Sequence, residues 1–203
     1  MSKIKNIILT LEDLKIDTSI SDEKLVALIV QTKSSELFSV IYDRYSQLVY
    51  NKCLGFVKNK EEAQDLTHDI FVKLFIKIKT FSHKSKFSTW LYSFTYNHCV
   101  NYVQRDLNKR KDKFLYTDSE EEQDYLNTVQ NKKNDEVIYN MDSEKLTKAL
   151  ELIDPNDKTI LFMKYQDEMS IEDIQEVLDL GKSAVKMRLS RAKSRLVKVY
   201  ETI

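Results

Sequence analysis

Apolar residues recur three and four positions apart over most of this chain, which is the spacing of amphipathic helices. Ser21 is placed to cap a helix carrying Leu25, Leu28 and Ile29. Ser34-Ser35-Glu36 opens a second, running through Phe38, Ile41, Tyr45 and Val49 to about Phe56. A third begins near Glu61, with Ala63, Leu66, Ile70, Phe71, Leu74, Phe75 and Ile78 expected to face a core. A Ser/Lys-rich loop, residues 82–88, separates it from a fourth that starts near Thr89 and runs through Trp90, Leu91, Phe94 and Cys99 towards Arg110. From Asp112 to about Ser143 apolar density drops and acidic, Asn and Gln residues take over, which reads as a flexible acidic linker. A second unit begins near Glu144. It holds one helix over 146–153, a break at Asp154-Pro155 and another helix over 158–165.

The last stretch predicts two helices joined by a tight turn. Ser170 with Asp173 is a capping signal, followed by Ile171, Ile174 and Leu178, and Gly181 marks the interruption. In the second helix Val185, Leu189, Ala192 and Leu196 form one apolar stripe, and Lys186, Arg188, Arg191 and Arg195 fall largely outside it. Such a helix buries one side and offers cations to phosphates and base edges on the other, the layout of a DNA-reading helix-turn-helix.

Composition sharpens this picture. Two glycines and one proline in 203 residues leave little turn material for sheets, so an all-α protein is expected: two small helical domains joined by the linker, the second ending in the helix-turn-helix. The divisions are an N-terminal extension at 1–20, a first domain at 21–111, the linker at 112–143 and a second domain at 144–203. Net charge is zero, but it is unevenly spread. Residues 36–111 carry 13 basic and 7 acidic side chains, 112–145 carry 4 and 10, and 181–198 carry seven basic and none acidic. That asymmetry suits a DNA-docking element whose module faces something else on its other side; a solvated terminal helix is the blander reading. Cys53 and Cys99 match no disulfide framework or metal spacing, and His68, His83 and His98 lie fifteen apart, so no metal or cofactor is expected. A reducing cytoplasm and no membrane insertion are the expectation, since no run approaches the roughly 18 apolar residues of a span.

Two further patterns suggest surfaces. Asp65, Asp69, Val72 and Ile76 share one face of the third helix, opposite much of its core stripe. They form either a protein-docking face or, for Val72 and Ile76, more core. Acid/base catalysis by the two carboxylates is disfavoured, because nothing nearby supplies a nucleophile or an oxyanion site, and no enzymatic activity is expected. From Thr80 to Lys111, Phe81, Phe87, Trp90, Tyr92, Tyr96 and Tyr102 interleave with Lys84, Lys86, Arg105, Lys109, Arg110 and Lys111. Aromatics and cations together suit single-stranded nucleic acid. Core packing is the alternative, and for Trp90 and Phe94 it is the expected one.

Ala63-x-Asp65-Leu66-x-x-Asp69-x-Phe71, then Trp90-Leu91 followed by Asn97, then Val185-Lys186-x-Arg188-Leu189-x-Arg191-Ala192, in this order, resemble the extracytoplasmic-function (ECF) branch of the sigma-70 family of bacterial RNA polymerase initiation factors. The resemblance covers about 25–111 and 144–200. It implies that core RNA polymerase docks on Asp65, Leu66, His68, Asp69, Val72 and Ile76. It further implies that Phe81, Lys86, Phe87, Asn97, Asn101 and Arg105 capture the non-template strand of the minus-ten element. Lys182, Ser183, Lys186, Arg188 and Arg191 are implied at the minus-thirty-five duplex. The implied partners are core polymerase, promoter DNA and an anti-sigma factor, with the free protein monomeric. His68 stands where the family usually has Gln, Asn101 where it has Asp, Gln104 where it has a basic residue, and Gln175 where it often has a small one. The rival readings are a stand-alone helix-turn-helix regulator that never binds core polymerase, and a pure protein-interaction module.

Overall fold

Short polar side chains set the helix starts. Ser34 accepts from the Leu37 N–H, Asn59 from Glu62, Asp142 from Glu144 and Lys145, and Asp154 from Asn156 ahead of Pro155. Ser170 and Asp173 cap each other reciprocally, the capping box expected from the sequence. The computed structural model describes residues 20–110 and 128–203, so the N-terminal extension up to residue 19 and the acidic run at 120–124 lie outside the described residues. The helices are α1 (Asp22–Thr32), α2 (Ser35–Leu54), α3 (Lys60–Lys77), α4 (Phe87–Arg110), α5 (Thr128–Tyr139), α6 (Ser143–Leu152), α7 (Pro155–Leu161), α8 (Ile171–Leu178) and α9 (Lys182–Thr202). A 3₁₀ turn follows α3 at Ile78–Thr80, and a π-helical turn extends α7 over Phe162–Gln166. Among the described residues there is no strand.

α1 to α4 form the first module. Leu25, Ile29, Ile41, Val49, Ile70, Leu74, Phe87 and Leu91 are buried together at its centre. α4 starts two residues earlier than its apolar pattern suggests, because Glu23 of α1 accepts the Phe87 N–H at 3.0 Å and caps the helix from a distance. Asp22 ties α1 to α2 through Arg44 and Tyr45. Cys53 and Cys99 are free thiols buried in this core with sulfurs 4.0 Å apart.

In the second module α9 is central and packs against α5, α6, α7 and α8. All four residues of its expected stripe, Val185, Leu189, Ala192 and Leu196, are buried. Two expectations change here. The acidic linker does not extend to residue 143: residues 128–139 are helical, and α5 docks on α9 through Asn134 to Ser194 at 3.1 Å and Asp135 to Lys193 at 3.1 Å. Arg195 is not a free cation either, since it pairs with buried Asp157 at 2.9 Å. The helix-turn-helix turn also uses Asp179, at φ 53°, as its left-handed residue, while Gly181 sits at φ −70° as the N-cap of α9.

Candidate protein-docking and nucleic-acid surfaces

On α3, Asp65, His68 and Asp69 are exposed, and Val72 and Ile76 are 63% and 60% exposed. The alternative of a fully wrapped helix therefore fails for this face. Two neighbours depart from expectation. Leu66 is 3% exposed and belongs to the core, because at 100° per residue it lies well off the Asp65–Ile76 line. Phe75, expected inside, is 41% exposed and rests edge-on over Phe38 with ring centres 5.0 Å apart. Val72, Phe75 and Ile76 thus make an uncovered apolar patch beside two carboxylates, the composition of a protein contact.

The strand-capture residues divide in two. Phe81 and Phe87 are buried, which corrects their assignment to bases: neither offers a free ring face. They instead pack on Trp90, with ring centres 5.6 and 5.9 Å away. Trp90, Phe94, Asn97, His98, Asn101 and Arg105 then follow at helical spacing along one face of α4. Trp90 stacks on Phe94 at 5.3 Å, and His98 meets Phe94 edge-on at 4.4 Å. Trp90 and Phe94 pack against the core as expected, but only half-buried, so each side chain stays partly open to solvent. Burial, then Lys73 and Arg105, lower the His98 pKa from 6.5, so its ring is neutral at neutral pH and extends the ladder. Asn97, Asn101, Arg105 and Lys86 are exposed around it. The i, i+4 repeat of Trp90, Phe94 and His98 was the available signal for His98, which residue-by-residue reading missed.

In the helix-turn-helix, Lys182, Ser183 and Lys186 are exposed on the first turns of α9, while Arg188 and Arg191 are half-buried. Lys182 donates to Glu172 of α8 at 2.7 Å, and that hydrogen bond holds the Glu172 pKa below its ordinary 4.5. Both side chains are exposed, so a phosphate can displace the carboxylate at little cost. Lys193 is buried against Asp135 and Arg195 is turned to Asp157, so the basic run of α9 is split between inward pairs and an outward N-terminal end.

Residues 41–109 match the family model for sigma-70 region 2, and residues 143–196 match that for sigma-70 region 4. The ECF RNA polymerase sigma factor SigW of Bacillus subtilis (strain 168) is 26% identical over 174 residues, covering 83% of this chain and 91% of that protein. The RNA polymerase sigma factor YlaC of the same organism is 27% identical over 158 residues, covering 78% and 88%. Among solved structures, the sigma factor RpoE with the anti-sigma factor NepR from Bartonella quintana aligns with a TM-score of 0.53 at 15% identity, over 81% of this chain and 96% of that one. CnrH with the cytosolic domain of CnrY aligns at 0.56 and 18%, over 89% and 97%. These two share the fold. With both regions matched in order, and with relatives named as sigma factors aligned across both of them, the chain belongs to the ECF branch of the sigma-70 family and is an RNA polymerase sigma factor.

Proposed function

We propose that three surfaces divide the work of this sigma factor. The α3 face of Asp65, His68, Asp69, Val72 and Ile76, joined by Phe75, docks on core polymerase. The α4 ladder of Trp90, Phe94 and His98, with Lys86, Asn97, Asn101 and Arg105, receives the unstacked non-template strand of the minus-ten element. Lys182, Ser183, Lys186, Arg188 and Arg191 meet the minus-thirty-five duplex in the major groove. The observation that carries this reading is exposure: Val72 and Ile76 of α3 stand open to solvent beside Asp65, His68 and Asp69, and α3 packs on α4, which bears the ladder.

Energetics assign the chain a directing role. Opening about ten base-pair steps costs on the order of 14 kcal/mol, whereas each stacked base returns about 1–3 kcal/mol. The factor acts on the polymerase, which supplies the channel and the chemistry; this chain carries out no catalysis. It works with polymerase in the cytoplasm, and no described helix is long and apolar enough to cross a membrane. The similar RpoE structure is a complex with the anti-sigma factor NepR, and a protein of that class is the expected antagonist here, with the free factor monomeric. A stand-alone DNA regulator leaves the Val72–Ile76 patch without a purpose.

The test is a titration of the full-length protein into core RNA polymerase. Wild type should bind tightly and Asp65→Arg should bind at least tenfold more weakly with an unchanged helical spectrum. Equal binding by both removes the α3 assignment.

A further inference from the structure

Cys53 of α2 and Cys99 of α4 are 46 positions apart in the chain, yet their sulfurs meet at 4.0 Å in the core of the first module, both fully buried. A buried cysteine ordinarily serves as a small apolar side chain, and that role does not require two of them to face each other. Cys99 Sγ donates to Cys53 Sγ. This hydrogen bond, with a smaller one from Thr67, holds the Cys53 thiol below its ordinary 9.0 against the opposing effect of burial. The same hydrogen bond, together with burial, pushes the Cys99 thiol up. Cys53 is therefore the readier thiolate, and Cys99 keeps its proton. Thr95 lies one turn before Cys99 on the same side of α4, fully buried, and its hydroxyl has no hydrogen-bond partner among the described residues. No three His, Cys, Asp or Glu side chains among the described residues gather closely enough to hold a metal ion, so the thiols do not belong to such a cluster. A route for a small solute lies close by. α2 ends at Leu54, one residue after Cys53, and a cavity of about 650 Å³ between the two modules is lined by Leu54, Gly55 and Phe56 together with Tyr102, Leu150 and Lys158. Fraying of that last helical turn opens Cys53 towards it.

We propose that Cys53 and Cys99 are a peroxide-responsive modification site, at which hydrogen peroxide joins α2 to α4 by a disulfide that a dithiol reductant cleaves. The Cys53 thiolate attacks one peroxide oxygen; an S–O bond forms, the O–O bond breaks, and the other oxygen takes up a proton and leaves as water. The Cys53 sulfur has then given two electrons to the peroxide and is a sulfenic acid. The Thr95 hydroxyl, one turn from Cys99, is a free partner for that polar intermediate in an otherwise apolar core. Cys99 sulfur next attacks the Cys53 sulfur; the S–S bond forms, the S–O bond breaks, and hydroxide departs with the Cys99 proton as a second water. A dithiol reverses the step by thiol–disulfide exchange and is itself oxidised to a cyclic disulfide. Bonding brings the sulfurs from 4.0 Å to about 2 Å. His98 directly precedes Cys99, so the ladder side of α4 moves with it. The consequence for function rests on the three-surface reading above: a binding constellation must be held within about 0.5 Å, so the oxidised factor captures the strand less well. The α3 face contributes neither sulfur, and its docking is unaffected.

The experiment treats full-length wild type, Cys53→Ala and Cys99→Ala with hydrogen peroxide and then with dithiothreitol. Alkylation of the denatured chains counts free thiols, intact mass identifies the product, and thermal melting reads the cross-link. Treated wild type should lose both thiols and two hydrogens in mass, melt roughly 10 °C higher because a long loop is closed, and regain both thiols and its original melting with dithiothreitol. Neither variant should gain stability with peroxide. Holoenzyme assembled on oxidised wild type should retain single-stranded DNA of random sequence about tenfold more weakly than holoenzyme on reduced wild type, with core binding equal in the two. Wild type that keeps both thiols, or that gains oxygen in mass instead of losing hydrogens, overturns the proposal whether or not the variants fold. So does a disulfide that leaves strand retention unchanged. A reversible disulfide with the expected melting shift, in a protein that fails to bind core in either state, upholds the modification site and overturns the docking assignment instead.

Discussion

The two modules place buried charge differently. In the second, Asp157 and Lys193 are buried and each finds its partner, Arg195 or Asp135, within the same module. In the first, Lys52 is the only buried charged residue among those described, and its carboxylate comes from the other module. The difference separates two uses of one interaction. A pair inside a module is a condition of folding, because removing one partner strands a charge where water cannot reach it. A pair across modules is a condition of arrangement, because separation rehydrates both ends.

Breaking the internal pair should have the largest effect. Asp157→Ala leaves Arg195 without its buried carboxylate and should cost the second module about 3–5 kcal/mol. Thermal melting followed by hydrogen exchange should show α6 to α9 opening early while α1 to α3 keep their protection. Uniform loss across both modules would mean that they fold as one unit and would erase the distinction.

Lys158 sharpens the comparison, since it is a cation buried at the contact between the modules. Burial lowers its pKa from 10.5 to about 8, with Glu151 opposing, and its ammonium lies 5.6 and 5.5 Å from the rings of Phe56 and Phe162. Lys58, Glu62 and Asp106 line the same cavity. The folded protein therefore binds fewer protons than the unfolded chain between about pH 8 and 10.5, so its stability should rise with pH through that window and be lowest below it. Lys158→Met removes the buried charge and should stabilise the protein by about 1–3 kcal/mol at neutral pH. Thermal melting should show the variant's advantage over wild type at pH 7 shrinking at about pH 9.5.

The smallest effect tests a local feature. Ser170→Ala removes one half of the capping box at α8 and should destabilise the second module by about 1 kcal/mol, readable as a small shift in its melting alone.

What could be read from the sequence follows from the range of the forces involved. The starts of α2 and α8 and the buried stripe of α9 depend on residues within a turn or two of each other, so Ser34, Ser170 and Val185–Leu196 were legible; Ser21 stands at the start of α1 as expected, but its side chain makes no cap hydrogen bond. α5 was not. Its polar sequence carries little periodicity, and what holds it is Asp135 meeting Lys193 and Tyr165, partners distant in the chain. The same blindness made Arg195 look like a DNA contact, and Phe81 and Phe87 look like platforms for bases, when each is committed to a partner inside its module. The exposed α3 face was legible as a pattern with two meanings, and only its solvent exposure chose between them.

Trp90 is the one tryptophan of the chain, and it stands in the ladder where strand capture is assigned. Its indole emission therefore comes from a single ring already stacked on Phe94, and under the strand-capture proposal a base sliding onto its open face would quench it. The proposed assignment thus predicts a built-in optical reporter of promoter opening, readable without a label wherever the polymerase's own fluorescence is subtracted.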